Sequence, residues 1–170
     1  MIRWAIRILA TVLGLILVAF LAFQGYVALR LWWWEDHNPT TTAFMDARLT
    51  VLREKTPAAK LQQQWVPYDK ISSNLKRAIL VAEDDRFVDH EGFDWEGMQK
   101  AYAKNMKKGR VVAGGSTISQ QLAKNLFLSG QRSYLRKGQE AVITLMLEKM
   151  MTKRRILEIY MNVIEWGEGS

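Results

Sequence analysis

Two short stretches hold the residues whose types and spacing could do chemistry. Glu83 to Gly92, EDDRFVDHEG, gathers carboxylates, an aromatic ring and a histidine in one segment. Gly114 to Asn125, GGSTISQQLAKN, joins a glycine loop to a helix start carrying Gln120, Gln121, Lys124 and Asn125. A carboxylate such as Glu83 can remove a proton from a hydroxyl when its environment tunes it towards neutrality. A glycine loop ahead of a helix can cradle an anion, because the first backbone N–H groups lack helical partners and the macrodipole is positive there. By itself the loop signal is weak, since the same pattern describes a well-capped surface helix.

Helices must position both stretches. Ser72 or Ser73 can cap one in which Leu75, Ala78, Ile79 and Ala82 fall at i, i+3, i+4 and i+7, an apolar stripe delivering Glu83 at the C-terminal end. An acid at that end opposes the macrodipole, which favours its neutral form if it is also desolvated. Asp94 is the expected N-cap of a second helix through Trp95, Met98, Ala101, Tyr102 and Met106 to Gly109. Its lysines, Lys100, Lys104, Lys107 and Lys108, read as a solvated face or as attraction to anionic headgroups.

Thr117 followed by Gln120 has capping-box spacing, so a third helix begins near Ile118 with Ile118, Leu122 and Leu126 inward. Gln120 with Lys124, and Gln121 with Asn125, are then i, i+4 neighbours on polar strips. Ser133 can cap a long helix with Leu135, Val142, Leu145, Met146 and Met150 on its apolar side; its Arg136 and Glu140 read as a surface ion pair. Thr152 caps a last helix that turns Ile156, Ile159 and Tyr160 inward.

Ahead of all this, Ile8 to Leu29 is apolar apart from Thr11 and Gln24. At about 1.5 Å per residue it is long enough for a hydrocarbon core of about 30 Å. Arg3 and Arg7 precede it, so the positive-inside bias places the N-terminus in the cytoplasm and the remainder outside. Trp32, Trp33 and Trp34 fit an interfacial aromatic belt. A cleavable signal peptide competes with an uncleaved anchor, but the run is long for an h-region and lacks a well-placed small-residue cleavage site. The expected organisation is an anchor over 1–34, a linker and membrane-proximal segment over 35–66, weakly helical and broken at Pro57, and a helical domain over 67–170.

With 170 residues and 49% hydrophobic content, one folded domain plus the anchor is expected. The net charge of +7 favours acidic partners: nucleic acid, anionic lipid or a phosphorylated substrate. The absence of cysteine excludes disulfides and thiolate metal sites, and two scattered histidines give no zinc pattern. The topology argues against nucleic acid.

Four blocks in order, EDDRFVDHEG, GGSTISQQLAKN, RKGQE with the helix to LEKM, and RRILEIYMN, resemble the peptidoglycan glycosyltransferase family, which polymerises lipid II into glycan strands. The single anchor and the NPTTTAFM stretch resemble its monofunctional members more than the bifunctional ones. The resemblance implies a mainly α, lysozyme-like domain behind one transmembrane helix, in a bacterial inner membrane with the catalytic part in the periplasm. It implies Glu83 as general base and Glu140 as the second carboxylate, acting on the departing diphosphate or orienting the acceptor. Lys124 and Arg132 match phosphate-holding positions, and Ser116, Gln121 and Asn125 match polar neighbours in the donor pocket. Asp84, Phe87, His90, Arg136 and Lys137 match supporting positions.

The same resemblance implies lipid II, a growing lipid-linked strand and the membrane as partners, with cell-wall synthesis or division proteins unidentified. No cofactor is required by it; a divalent cation, Mg or Mn, at the diphosphate is compatible with it. Family members continue beyond this chain's last block, by about a quarter of an ordinary chain length. A glycan hydrolase, which also uses two carboxylates, is the chemical alternative, and a non-catalytic membrane-anchored interaction module is the structural one.

Overall fold

A computed structural model describes residues 2–129 and 133–165, and among these the regular structure is helical. In chain order the helices are α1 (Ile2–Asp36), α2 (Ala43–Lys55), α3 (Ser73–Glu83), α4 (Trp95–Lys108), α5 (Ile118–Phe127), α6 (Tyr134–Met150) and α7 (Lys153–Val163), with a 3-10 turn at Tyr68–Lys70.

Helix α5 is the centre. It starts where the sequence places it: Thr117 accepts the Gln120 backbone N–H and Gln120 reaches back to the Thr117 backbone, closing the capping box. Its inward stripe, Ile118, Leu122 and Leu126, is buried, and Ala123 is buried with it. Helices α2, α6 and α7 pack around it. Ile143 and Leu147 from α6 and Ile156 and Ile159 from α7 complete one contiguous core. Each such side chain contributes about 1.5–3 kcal/mol of burial.

The long apolar helix is real and exceeds the expected span. It is 35 residues long, about 52 Å at the usual rise, and is long and apolar enough to cross a membrane. Its last turns belong to the core: Val27, Leu31 and Trp34 are buried, with Trp34 5.5 Å from the Phe127 ring. The expected aromatic belt is therefore corrected at Trp34, while Trp32 and Trp33 are exposed. Arg155 of α7 fastens this end by donating to the carbonyls of Trp34 and His37. Carbonyls at a helix C-terminus lack intrahelical donors, and the guanidinium supplies them.

Within 35–66, residues 43–55 form a capped helix. The Thr42 hydroxyl accepts the Met45 N–H and donates to Asn125 Oδ1 on α5, so α2 is held to the centre by a buried polar contact as well as by packing.

Two expected apolar faces are corrected. On α6 the buried residues are Glu140, Ile143, Thr144 and Leu147, whereas Leu135 and Leu145 are exposed and Val142, Met146 and Met150 are half-buried. Apolar side chains lie almost all round this helix, so periodicity alone could not select the face that meets α5. On α3 only Ile79 of the expected stripe is buried; Leu75, Ala78 and Ala82 are exposed. Helix α4 has both predicted caps, Asp94 accepting from Gly97 and Gly109 in the left-handed region. Along it Ala101 is buried, and Trp95, Tyr102 and Met106 are exposed.

Candidate active site

The first acid is presented by the end of α3. Glu83 is its last residue and is exposed, so the desolvation considered from the sequence is not supplied by its neighbours. Gln121 Nε2 donates to Glu83 Oε2 at 3.0 Å. On its other side, the Gln121 amide oxygen accepts from the Tyr160 hydroxyl at 3.3 Å.

The next residue turns inward. Asp84 is buried, accepts the backbone N–H of Ile118 at 3.0 Å and accepts from His90 Nε2 at 2.9 Å. His90 Nδ1 takes the backbone N–H of Gly92, which assigns the ring proton to Nε2. Phe87 is 2% exposed, with Lys153 Nζ 4.5 Å from its ring centroid; that ammonium also bonds the His90 carbonyl and Glu148. Gly92 closes the segment at φ +91°, where a Cβ would lie 2.7 Å from Thr144 Cγ2. EDDRFVDHEG is thus a segment braced through buried Asp84 and Phe87 and through His90, and of its exposed carboxylates, Glu83, Asp85, Asp89 and Glu91, it is Glu83 that meets Gln121.

The second acid is not at the surface, as an ordinary ion pair with Arg136 would have it. Glu140 is 3% exposed, with Lys137 Nζ at 2.5 Å and Arg136 Nη1 at 3.8 Å. Burial of a carboxylate is tolerable because two cations face it. It lies in a cleft of about 610 Å³ lined by Ser116, Gln120, Gln121, Lys124, Ser133, Tyr134, Arg136, Lys137 and Glu140. Among the described residues three cations line the cleft with one carboxylate, and Arg136 Nε is buried without a hydrogen-bond partner. An anion would satisfy both the excess charge and the free donor.

A second cleft, of about 400 Å³, contains Glu83, Asp84, Lys100, Lys104 and the 113–117 loop. Ser116 lines both clefts, and Gln121 lines the first while bonding Glu83. The structure therefore brings together Glu83, Ser116, Gln121, Lys124, Arg136, Lys137 and Glu140. It does not bring Asn125 to the cleft: that side chain is buried and bonded to Thr42. Gln120 borders the cleft, but its amide oxygen is engaged in the capping box. Arg132 lies outside the described residues.

From the sequence Tyr160 reads only as an inward apolar residue. Its hydroxyl was the available signal, because a buried phenol needs a hydrogen-bond partner. Its pKa is pushed up to about 12, first by burial and then by the negative charges of Glu83 and Asp84.

Among the described residues no cluster of three or more His, Asp or Glu side chains could hold a divalent cation, and Glu140 already faces Lys137 and Arg136.

A family model described as Transglycosylase matches residues 50–170. Proteins named biosynthetic peptidoglycan transglycosylase are similar along most of the chain. The one from a Janthinobacterium species is 62% identical over 88% of this chain and 64% of its own length. Those from an Azoarcus species and Dechloromonas aromatica are 58% and 62% identical over 98% of this chain, and the chain spans 71% of each. The match covers both acids, the loop between them and α7, and by these similarities the chain belongs to the peptidoglycan transglycosylase family.

Proposed function

We propose that this chain carries the glycosyl-transfer site of an enzyme that polymerises lipid II into glycan strands in cell-wall synthesis. The observation that carries the reading is the pairing of an outward carboxylate, Glu83, with a neighbouring cationic cleft around buried Glu140, the two joined through Ser116 and Gln121.

In this reading Glu83 removes the proton from the 4-hydroxyl of the acceptor sugar. The freed oxygen pair attacks the anomeric carbon of the growing strand, the bond to the diphosphate breaks, and its electron pair leaves on that group. Attack from the opposite face inverts α to β and releases polyprenyl diphosphate. Lys124, Arg136 and Lys137 stabilise the charge developing on the diphosphate, with the donors already in place. Arg132 is proposed for the same role. Ser116 is proposed to touch the donor, while Glu140 holds Lys137 and Arg136 in position. Asp84, Phe87 and His90 fix the segment that presents Glu83.

The excess of cations favours transfer from a diphosphate donor over hydrolysis of a neutral glycan. The membrane-length helix favours a lipid-linked one. For α1 we propose a single pass through the bacterial inner membrane, with Arg3 and Arg7 on the cytoplasmic side and the domain in the periplasm.

Gel analysis of products from labelled lipid II in detergent tests the reading. Polymer is expected from the parent, and Glu83→Gln is expected to lower the rate by about 10²-fold or more. Polymer from Glu83→Gln at the parental rate would overturn it.

A further inference from the structure

We propose that Tyr160 is a positioning residue for Glu83, its phenol holding the Gln121 amide in the orientation that presents an N–H to the carboxylate. The inference rests on the glycosyl-transfer reading and extends it to a residue on a third helix. Tyr160 comes from α7, Gln121 from α5 and Glu83 from the end of α3. The bonds run in one direction: Tyr160 O–H to Gln121 Oε1 at 3.3 Å, then Gln121 Nε2–H to Glu83 Oε2 at 3.0 Å.

The two ends of a glutamine amide have nearly the same shape and opposite hydrogen-bonding character. Turned over, the amide would set its oxygen against the Glu83 carboxylate, acceptor against acceptor. Tyr160 supports the observed orientation from the other side: its buried phenol donates to the amide oxygen and anchors the far end of the amide while the carboxylate takes the N–H. Among the described residues Gln121 is the one donor to the Glu83 side chain. The exposed carboxylate at a helix end therefore takes its orientation from a buried residue that cannot itself reach the substrate. Rigid support of this kind is what sets a reacting group within the narrow geometry that catalysis requires.

Tyr160→Phe removes one oxygen and keeps the ring. In lipid II polymerisation by the full chain, kcat is expected to fall about tenfold, the rate equivalent of one hydrogen bond. KM should be unchanged, because buried Tyr160 offers almost no surface for a substrate to touch. Since the residue acts through Gln121, the Tyr160→Phe, Gln121→Ala pair should be no slower than Gln121→Ala alone. Losses that multiply, or a parental kcat in Tyr160→Phe, would overturn the proposal. A second readout needs no turnover: the Gln121 side-chain amide protons, followed by ¹⁵N NMR, should exchange faster in Tyr160→Phe than in the parent. Unchanged exchange overturns the proposal. A folded parent that makes no polymer counts against the glycosyl-transfer reading, and the amide signal still decides the role of Tyr160.

Discussion

Asp84 accepts the backbone N–H of Ile118, 34 residues later in the chain, at 3.0 Å. The residue after Glu83 thereby becomes a cap on the helix that carries Gln121 and Lys124. A charged acceptor at a helix N-terminus satisfies an orphan donor and meets the positive end of the macrodipole. One buried carboxylate thus ties the end of α3, where Glu83 sits, to the start of α5.

Asp84→Asn tests that link. The amide can accept from Ile118 or from His90 but must turn its NH₂ towards the other donor, leaving a buried donor unmatched. A loss of about 1–3 kcal/mol is expected, read as a lower denaturant midpoint with an unchanged slope. Polymerisation should fall with it, because α3 and α5 lose their register.

Gly92 and Gly138 should respond in opposite directions to alanine. At Gly92 the φ of +91° and the 2.7 Å approach to Thr144 Cγ2 both oppose a side chain, so Gly92→Ala should destabilise by more than about 1 kcal/mol. Gly138 lies within α6, and a Cβ there meets nothing within 4 Å. Gly138→Ala should stabilise by about 0.5–1 kcal/mol. Thermal melting of the two variants beside the parent gives both signs in one experiment.

Tyr160 should make stability fall in alkali. Its folded pKa is raised from 10.0 to about 12, so between these values the unfolded chain loses the proton while the folded one keeps it. The unfolded state then binds fewer protons, and stability falls as pH rises. The contribution is complete below pH 10 and is lost through about pH 12. Denaturation at pH 9 and pH 11 should differ less in Tyr160→Phe than in the parent, and absorbance titration of the parent should show a late phenol absent from the variant.

The end of α1 should be needed for folding, while its beginning is not. Val27, Leu31 and Trp34 are buried against the domain, whereas residues 3–22 are exposed among the described residues. Deleting residues 1–22 should leave the melting temperature of the detergent-solubilised domain nearly unchanged. Trp34→Ala should cost about 3–5 kcal/mol, and deletion through Trp34 should yield aggregated protein in the same preparation.

Signals within one helical turn were legible in the chain itself. The capping box at Thr117 and Gln120, the caps at Asp94, Gly109, Ser133 and Thr152, and the apolar length of α1 each depend on residues close together in sequence. The physics joining them is local hydrogen bonding or simple length. The placement of Glu83 at a helix end was legible for the same reason.

Folding decided what depends on partners far along the chain. Glu140 reads as a surface ion pair because its sequence neighbours are charged, yet α6 turns it inward once Ile143 and Leu147 meet α5. Trp34 reads as an interfacial residue because it follows an apolar run, yet Phe127 offers it a buried face. Asn125 is committed to Thr42, and Tyr160 reaches Gln121, across separations of 83 and 39 residues. A polar side chain satisfied at such distance carries no periodic mark in the sequence, because its partner is chosen by how the helices pack.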